Sequence, residues 1–390
     1  MEKPKFELKD GTLTIYLSGS VSTDNATELG NEIDDIRANQ SYEKLVLDLD
    51  GLNYCSSAGL RIFLKLRKAE KDLLLINVND DIYGILEVTG FVSMLNTERK
   101  LRNISLEGAQ LIGEGFYSNV YRLDRETIVK VFIKDTSIED IRRELNLAKQ
   151  AFILGVPTAI SYDVVTVEGK YGTVYEMLSE GSLRDAIVAH PDKWDELLDK
   201  YAELVNIINS TDAGQLQIPS AKETYLSKLE AIKGLLSDQE YSRVKELLTN
   251  VPDSHTFVHC DCHMKNIMMS DGELMLIDMD TLSYGNRLFE LSNMYSTYYL
   301  FGKINPEQNT GFFGVTEGIA EKMYDDLMCR LYSDRTPEIR QENQEKIALA
   351  AYVHMAWFYT VVVADNKRAQ DMMLGFLKDQ IGRVDDLTLN

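Results

Sequence analysis

The stretch from Phe257 to Asp280, FVHCDCHMKNIMMSDGELMLIDMD, constrains this chain more than any other. Two apolar runs, Ile267 to Met269 and Leu274 to Ile277, flank Asp271-Gly272. That pair suits a tight hairpin turn, because both residue types tolerate left-handed backbone. Closing the hairpin brings Asn266 and Asp278 to the same end. His259 and Asp261 lie just ahead, so the polar pattern is HxDxxxxN, followed twelve residues later by an aspartate between apolar residues. Each residue type suits a task. A carboxylate at 261 beside a hydroxyl would orient it and accept its proton, while the Asn266 amide oxygen and the Asp278 carboxylate are hard ligands for an Mg²⁺ ion bridging phosphates.

An earlier segment, AQLIGEGFYSNVYRLDRETIVKVF, supplies complementary chemistry. Gly113 and Gly115 sit between an apolar strand and a second strand, Val120 to Leu123, with a third at Ile128 to Phe132. A glycine-rich turn between antiparallel strands lets backbone amides approach phosphates without interference from Cβ, and Lys130 on the third strand can neutralise them. Ser137 with Asp140 three residues on announces a helix carrying Ile141, Leu145 and Ala148 on one face. Glu144 lies on that helix, in a position to hold the Lys130 ammonium. Strands at Ala159 to Val167 and Tyr171 to Met177 complete a five-strand sheet, and Leu178 to Ser182 reads as a flexible connection into a helical remainder.

In that remainder Trp194, Leu197, Leu198, Tyr201, Leu204 and Val205 recur at helical spacing. Acids on the same helix, Asp195, Glu196, Asp199 and Glu203, could attract an amine-bearing acceptor or simply form a solvated face. Ile347 to Ala364 carries no charge over 18 residues. Tyr352, His354, Tyr359, Thr360 and several alanines leave it only mildly apolar, which predicts a buried helix and not a membrane span.

A length of 390 residues calls for two or three units. The first hundred residues alternate strands (Phe6 to Leu8, Thr12 to Leu17, Lys44 to Leu49, Leu73 to Val78) with helices (Asn25 to Asn39, Ser56 to Ala69, Ile82 to Leu86), a mixed sheet covered by helices. Asp10-Gly11 joins the first two strands as a hairpin. The polar run between Thr97 and Leu106 reads as the linker.

The chain holds 62 acidic against 41 basic residues, a formal charge of −21. This excludes a protein built to coat nucleic acid, which needs a positive surface. Four scattered cysteines predict reduced thiols, and the N-terminus lacks the uninterrupted apolar run of a signal peptide, so a cytoplasmic protein is expected. A zinc site at His259, Cys260, Cys262 and His263 is disfavoured, because a CxC pair between histidines leaves no second ligand pair at the usual spacing.

Two resemblances organise these readings. LVLDLDGLNYCSSAGLRIFL, Leu45 to Leu64, resembles the strand, loop and helix start of the STAS family, the domain of anti-sigma factor antagonists and of sulfate transporter tails. In phosphorylatable members a serine at this helix start accepts phosphate from a partner kinase, and the Gly-Leu that follows aligns that serine with Ser57. A phosphate there would meet free backbone N–H groups. Here Ser56 precedes it where an aspartate is usual, and Ser56 or Ser57 can instead cap the helix. The remainder resembles the protein-kinase-like superfamily, in its aminoglycoside and choline phosphotransferase branch. The resemblance implies Asp261 as catalytic base, Asn266 and Asp278 as Mg²⁺ ligands, and Lys130 with Glu144 on the phosphates of ATP. Ser118 replaces the third glycine of a kinase loop. His259 and Asp280 are supporting residues, Glu290 stands in for a later aspartate, and Cys260 occupies a position where this branch generally has glycine.

The sequence therefore predicts a bacterial, mixed α/β two-domain protein: a STAS-like domain at 1–104, then a bilobal kinase-like unit with an N-lobe at 105–181 and a helical C-lobe at 182–390. The expected function is ATP- and Mg²⁺-dependent transfer of the γ-phosphate to a hydroxyl of a small molecule, with a regulatory or partner-binding STAS module and no nucleic-acid or membrane partner. Two alternatives stand beside it: a protein serine kinase acting on a STAS-type serine, and a non-catalytic nucleotide-sensing protein.

Overall fold

The computed structural model describes residues 3–115, 117–178, 180–214, 216–304, 306–316 and 318–390, with the backbone alone for 306–309. The chain forms two compact units, Met1–Ile104 and Ser105–Asn390.

The first unit is a five-stranded sheet in the order β1-β2-β3-β4-β5: β1 (Lys5–Lys9), β2 (Thr12–Val21), β3 (Lys44–Cys55), β4 (Leu74–Val78) and β5 (Asn96–Arg99). β1 and β2 are antiparallel, joined through Asp10 (φ 46°) and Gly11 (φ 74°), and the other neighbours are parallel. Alternation buries Leu13, Ile15 and Leu17 on β2 and Leu45, Leu47 and Leu49 on β3, none of them more than 1% exposed. Fully burying such a side chain contributes about 1.5–3 kcal/mol. Helices α1 (Ala26–Ala38), α2 (Ser57–Ala69) and α3 (Asp80–Val88) cover the sheet, α2 through Leu60, Phe63 and Leu66.

Ser56 is the cap of α2: its hydroxyl accepts from the Gly59 N–H at 3.4 Å. Ser57, in the first turn, is exposed. Gly59 has to be small, since a Cβ there would stand 2.6 Å from Cys55 Sγ and 2.8 Å from Val21 Cγ1.

One element departs from the sequence reading. Asn96–Arg99 is a strand, pairing in parallel with β4 (Leu74↔Asn96, Leu75↔Thr97), inside the run that reads as linker. No apolar alternation marks it, because it holds an edge of the sheet through its backbone ladder while its side chains stay largely in solvent. A short strand, β6 (Arg102–Ile104), follows.

In the second unit, β7 (Gln110–Glu114), β8 (Ser118–Arg122), β9 (Thr127–Phe132), β10 (Ser161–Val167) and β11 (Lys170–Glu176) run antiparallel in the order β10-β11-β9-β8-β7. Between β9 and β10 lies α4 (Ile138–Ile153), capped by Ser137, whose hydroxyl accepts from Asp140 N–H at 3.1 Å. Ile141, Leu145 and Ala148 form its buried face. Within the connection at Leu178 to Ser182, Ser179 lies outside the described residues.

Helices α5 (Leu183–Ala189), α6 (Trp194–Ser210), α7 (Ala221–Ala231) and α8 (Asp238–Thr249) lead to a region of short strands: β12 (Phe257–Val258), β13 (Ile267–Ser270), β14 (Glu273–Leu276) and β15 (Ser283–Tyr284). The chain ends in α9 (Arg287–Tyr295), α10 (Phe301–Ile304), α11 (Pro306–Phe313), α12 (Ile319–Leu331), α13 (Pro337–Trp357) and α14 (Lys367–Ile381). Most of the uncharged run from Ile347 lies in α13, with Ile347 to Ala351 buried, and then passes into a π-helical turn at Phe358–Val362. Among the described residues no helix is long and apolar enough to cross a membrane.

Candidate active site

The site begins with Lys130. It occupies β9 with Val120 of β8 on one side and Thr173 of β11 on the other, so its backbone is fixed from both flanks. Its Nζ bonds Glu144 Oε1 at 2.8 Å and Asp278 Oδ1 at 2.7 Å. Residues 148 positions apart in the chain are thereby joined. Burial works against the ammonium charge, but the fields of Asp278 and Glu144 overcome it and hold the Lys130 pKa above the ordinary lysine value. Burial likewise opposes the Asp278 charge, and Lys130 outweighs it, so the carboxylate stays ionised. Glu144 is itself buried on α4.

The hairpin of β13 and β14 turns through Asp271 (φ 52°) and Gly272 (φ 76°) with Ile267 opposite Leu276. Ile277 N–H donates to Asn266 O at 2.9 Å, which sets Asn266 beside the start of the Asp278 turn. Asp278 adopts left-handed backbone (φ 67°) and leads into a 3₁₀ turn, Met279–Thr281. Asn266 Nδ2 donates to Asp261 Oδ2 at 2.8 Å and to Asp261 O at 3.1 Å. That orientation leaves the Asn266 Oδ1 acceptor toward other partners. The Asp261 and Asp278 side chains retain 39% and 40% exposure, so both can meet a ligand.

Acid is crowded here. Burial first, then Asp278 and Asp280, push the Asp261 carboxyl up to about 8. Burial, Asp278 and Glu144 push Asp280 to about 6. His259 and His263 are forced neutral, lowered by burial to about 4 and about 3. Among the described residues Lys130 is the cation paired with this cluster, and the donors left over are hard oxygens, a set that fits Mg²⁺. Among the described residues no three His, Cys, Asp or Glu side chains converge as a ready metal cage. Asn266 and Asp278 would therefore hold the ion together with phosphate oxygens and water, as Mg²⁺ prefers.

The glycine turn shows a close backbone approach: Gly115 N–H donates to Ser118 O at 2.8 Å, and a Cβ on Gly115 would lie 3.0 Å from that oxygen. Gly113 pairs with Val120 in the β7–β8 ladder, and Ser118 is buried. Phe116, at the turn, is outside the described residues. Ser57 belongs to the first unit.

Several residues hold the loop, and sequence reasoning singles out Glu290 alone among them, by its place in the resembled pattern. Glu290, fully buried on α9, accepts the His259 N–H and, at 3.4 Å, the Cys260 N–H. Thr281 Oγ1 donates to His259 O at 2.6 Å. Tyr201 donates to Cys262 O at 2.7 Å, and Tyr298 Oη accepts the Met264 N–H at 2.7 Å while sharing a 3.2 Å hydrogen bond with Tyr201. A tyrosine on a buried helical face needs a partner for its hydroxyl, the one signal that could have marked Tyr201. The acids of α6 are largely committed: Asp195 and Asp199 pair with Arg330 at 2.6 and 2.7 Å, and Glu196 with Lys200 at 3.6 Å.

Comparison with known proteins adds the following. The model of the phosphotransferase enzyme family matches residues 108–321, and that of the STAS domain matches residues 3–104. A candidate anti-sigma factor antagonist of Bordetella bronchiseptica, BtrV, is 35% identical over 89 residues, 22% of this chain and 76% of its own length. Among solved structures, a thermostable mutant of the aminoglycoside phosphotransferase APH(4)-Ia shares 13% identity at a TM-score of 0.45, covering 70% of this chain and 94% of its own. A choline/ethanolamine kinase family protein from Mesorhizobium loti has the same identity and TM-score, covering 70% and 86%.

Proposed function

Because the chain belongs to the phosphotransferase enzyme family and carries a STAS domain ahead of that unit, we propose that it transfers the γ-phosphoryl group of ATP to a hydroxyl of a small molecule. The observation that carries this reading is the convergence of Lys130, Glu144 and Asp278 within hydrogen-bonding distance, with the Asp261–Asn266 pair alongside. Lys130 pairs with phosphate oxygens while Glu144 keeps its ammonium in place, and the turn at Gly113, Gly115 and Ser118 covers the triphosphate. When bound at Asn266 and Asp278, Mg²⁺ neutralises charge on the phosphates. Asp261, ionised once a bound cation offsets the burial and the fields of Asp278 and Asp280 that hold its carboxyl up to about 8, orients the acceptor hydroxyl and takes its proton as the new O–P bond forms and the bond from the γ-phosphorus to the ADP oxygen breaks. His259, uncharged, packs beneath the loop, and Asp280 adds to the field that a cation offsets. Rate comes from alignment and charge neutralisation, with no covalent intermediate. The strands of 105–181 act as the nucleotide-holding lobe, and 182–390 as the acceptor-holding lobe.

Substituting Asp261→Asn tests the assignment. It keeps the shape of the loop, so Mg·ATP binding should persist while phosphoryl transfer is abolished; equal turnover by the two proteins would defeat it.

A second reading, phosphorylation of a STAS-type serine, draws on one observation. Ser56 takes the capping role, which leaves the exposed Ser57 hydroxyl at the first turn of α2 accessible to a kinase. The STAS module serves on either reading as a docking unit for a protein partner.

A further inference from the structure

Lys228, on α7, is an anomaly of charge. Its half-buried ammonium lies 2.7 Å from His354 Nδ1, 4.8 Å from the ring centroid of Tyr225 and 5.0 Å from that of Trp357. Among the described residues no carboxylate pairs with it, although the chain holds 62 acids. Of the other half-buried or buried lysines of this unit, Lys130 and Lys346 hold two carboxylates each, Lys222 holds Asp253, Lys200 holds Glu196, and Lys149 donates to the Tyr162 carbonyl. His354 gives no charge in return, since burial and then Lys228 itself keep it far below the ordinary histidine range, so it accepts at Nδ1 as a neutral ring. One of three ammonium hydrogens is used on a neutral acceptor, and the aromatic faces offset part of the desolvation. Burial lowers the lysine to about 8, which still leaves it charged at pH 7.

The place of this cation gives it meaning. β12, which leads into the Asp261 loop, pairs with β15, and Tyr284 of β15 donates its N–H to Pro219 O at 3.0 Å just ahead of α7. Two further bonds tie α7 to α9, the helix of Glu290: Tyr225 Oη to Ser292 Oγ at 2.6 Å and Asn293 Nδ2 to Tyr225 Oη at 3.0 Å. The fields of Glu290, Lys228 and Asp261 all act on the Cys260 thiol, so the ammonium stands within electrostatic reach of the residue next to the proposed base. Lys228, His354, Trp357 and Cys260 are each only half-buried, so solvent reaches all four. On a chain of net charge −21 an anionic small molecule is repelled in general, so binding one needs a dedicated cation.

We infer that Lys228, seated among His354, Tyr225 and Trp357, anchors an anion subsite of the acceptor pocket, so that the molecule phosphorylated carries a carboxylate or phosphate beside its hydroxyl. The inference rests on the phosphotransferase reading and deepens it. It sets aside an amine acceptor, since Asp195, Glu196 and Asp199 already hold Arg330 and Lys200.

The test uses the full chain and two probes, inorganic phosphate and malonate, with sodium chloride at matched ionic strength as control. Trp357 beside Lys228 supplies the fluorescence signal. Wild type should respond saturably to at least one probe, and the preferred probe tells phosphate from carboxylate. Lys228→Met should raise that Kd by about tenfold to a hundredfold, the range for hydrogen bonds to a charged group. Lys228→Gln should do the same if the Met variant fails to fold, and Lys228→Arg should restore binding. Asp261→Asn should keep the anion response while losing transfer, so the two readings fail separately. A wild-type response no greater than that to sodium chloride, an unchanged Kd in Lys228→Met and Lys228→Gln, or saturation by glucosamine in place of the anions would overturn the inference.

Discussion

Glu290 offers the sharpest quantitative test of how the loop is held. It is wholly buried, and burial, the leading influence, raises its carboxyl from 4.5 to about 7 despite the N–H groups of His259 and Cys260. Among the described residues its Oε1 has no hydrogen-bond partner, and neither does Oδ1 of the neighbouring Asn209, whose amide nitrogen donates to Phe257 O at 3.1 Å. A proton on Glu290 Oε1 pairs these two orphans: the carboxylic acid accepts from the loop at Oε2 and donates to Asn209 at Oε1. The sign follows. Between pH 4.5 and 7 the folded protein binds a proton at this site that the unfolded chain has released, so wild-type stability falls as pH rises through that window and the loss is complete above it. A shift from 4.5 to about 7, at 1.36 kcal/mol for each pKa unit, sets the loss at about 3 kcal/mol. Glu290→Gln carries the same oxygen toward the loop and a permanent donor toward Asn209, and it does not titrate. Its stability relative to wild type should therefore climb by up to about 3 kcal/mol from pH 4.5 to pH 8. Both tryptophans, Trp194 and Trp357, lie in the second unit, so urea melts followed by tryptophan fluorescence report on that unit in the intact chain. Titrating groups remote from Glu290 are common to the two proteins and cancel, while Asp261, which feels the Glu290 charge, belongs to the same response. A stability difference that does not change with pH would refute the protonated-acid account, and a variant weakened equally at both ends would instead identify an ionised carboxylate anchoring the two N–H groups.

Two further outcomes are expected. Lys130→Met removes the cation shared by Glu144 and Asp278, and should weaken Mg·ATP binding by about tenfold to a hundredfold in calorimetric titration; an affinity within about twofold of wild type would count against its role on the phosphates. If the STAS-type serine is the acceptor, intact-mass spectrometry after incubation with Mg·ATP should show added phosphate on wild type and none on Ser57→Ala, and a mass unchanged in both proteins would remove that reading.

The elements that the sequence exposes are those with a periodic or turn-borne signal. Alternation at Leu13, Ile15 and Leu17, the Asp10-Gly11 and Asp271-Gly272 turns, and the Ser137 cap each act locally, and each has its counterpart in the structure. β5 lacks such a signal, because an edge strand with exposed side chains is ordered by its neighbour's backbone and not by its own apolar residues. The same limit applies around the loop. HxDxxxxN shows itself through residue types whose chemistry is particular, and Glu290 through its place in the resembled pattern, whereas Tyr201 and Tyr298 are ordinary helix residues in sequence. What Glu290, Tyr201 and Tyr298 hold becomes visible only when α6, α9 and the π-helical turn after α9, Ser296–Leu300, deliver a carboxylate and two hydroxyls to backbone groups 31, 61 and 34 residues away. Lys228 is equally silent, since the absence of a partner is a property of the folded neighbourhood.

Cys260 joins these strands of argument. Its backbone lies in the left-handed region (φ 63°), which accounts for a glycine being usual at this position in the resembled branch. A side chain there costs about 1 kcal/mol, and the conformation persists only where its surroundings enforce it. The enforcement is visible: Glu290 takes the N–H groups of Cys260 and of the preceding His259, Tyr201 takes the carbonyl of Cys262, and Thr281 takes that of His259. What the strained turn achieves is direction. It turns the chain between the buried His259 and the half-exposed Asp261, so that the imidazole is sealed in the core while the carboxylate two residues on reaches solvent. The half-buried thiol is held protonated, first by desolvation and then by the field of Glu290. A glycine would form the same turn with less strain, so the cysteine trades backbone ease for packing against the core of this unit.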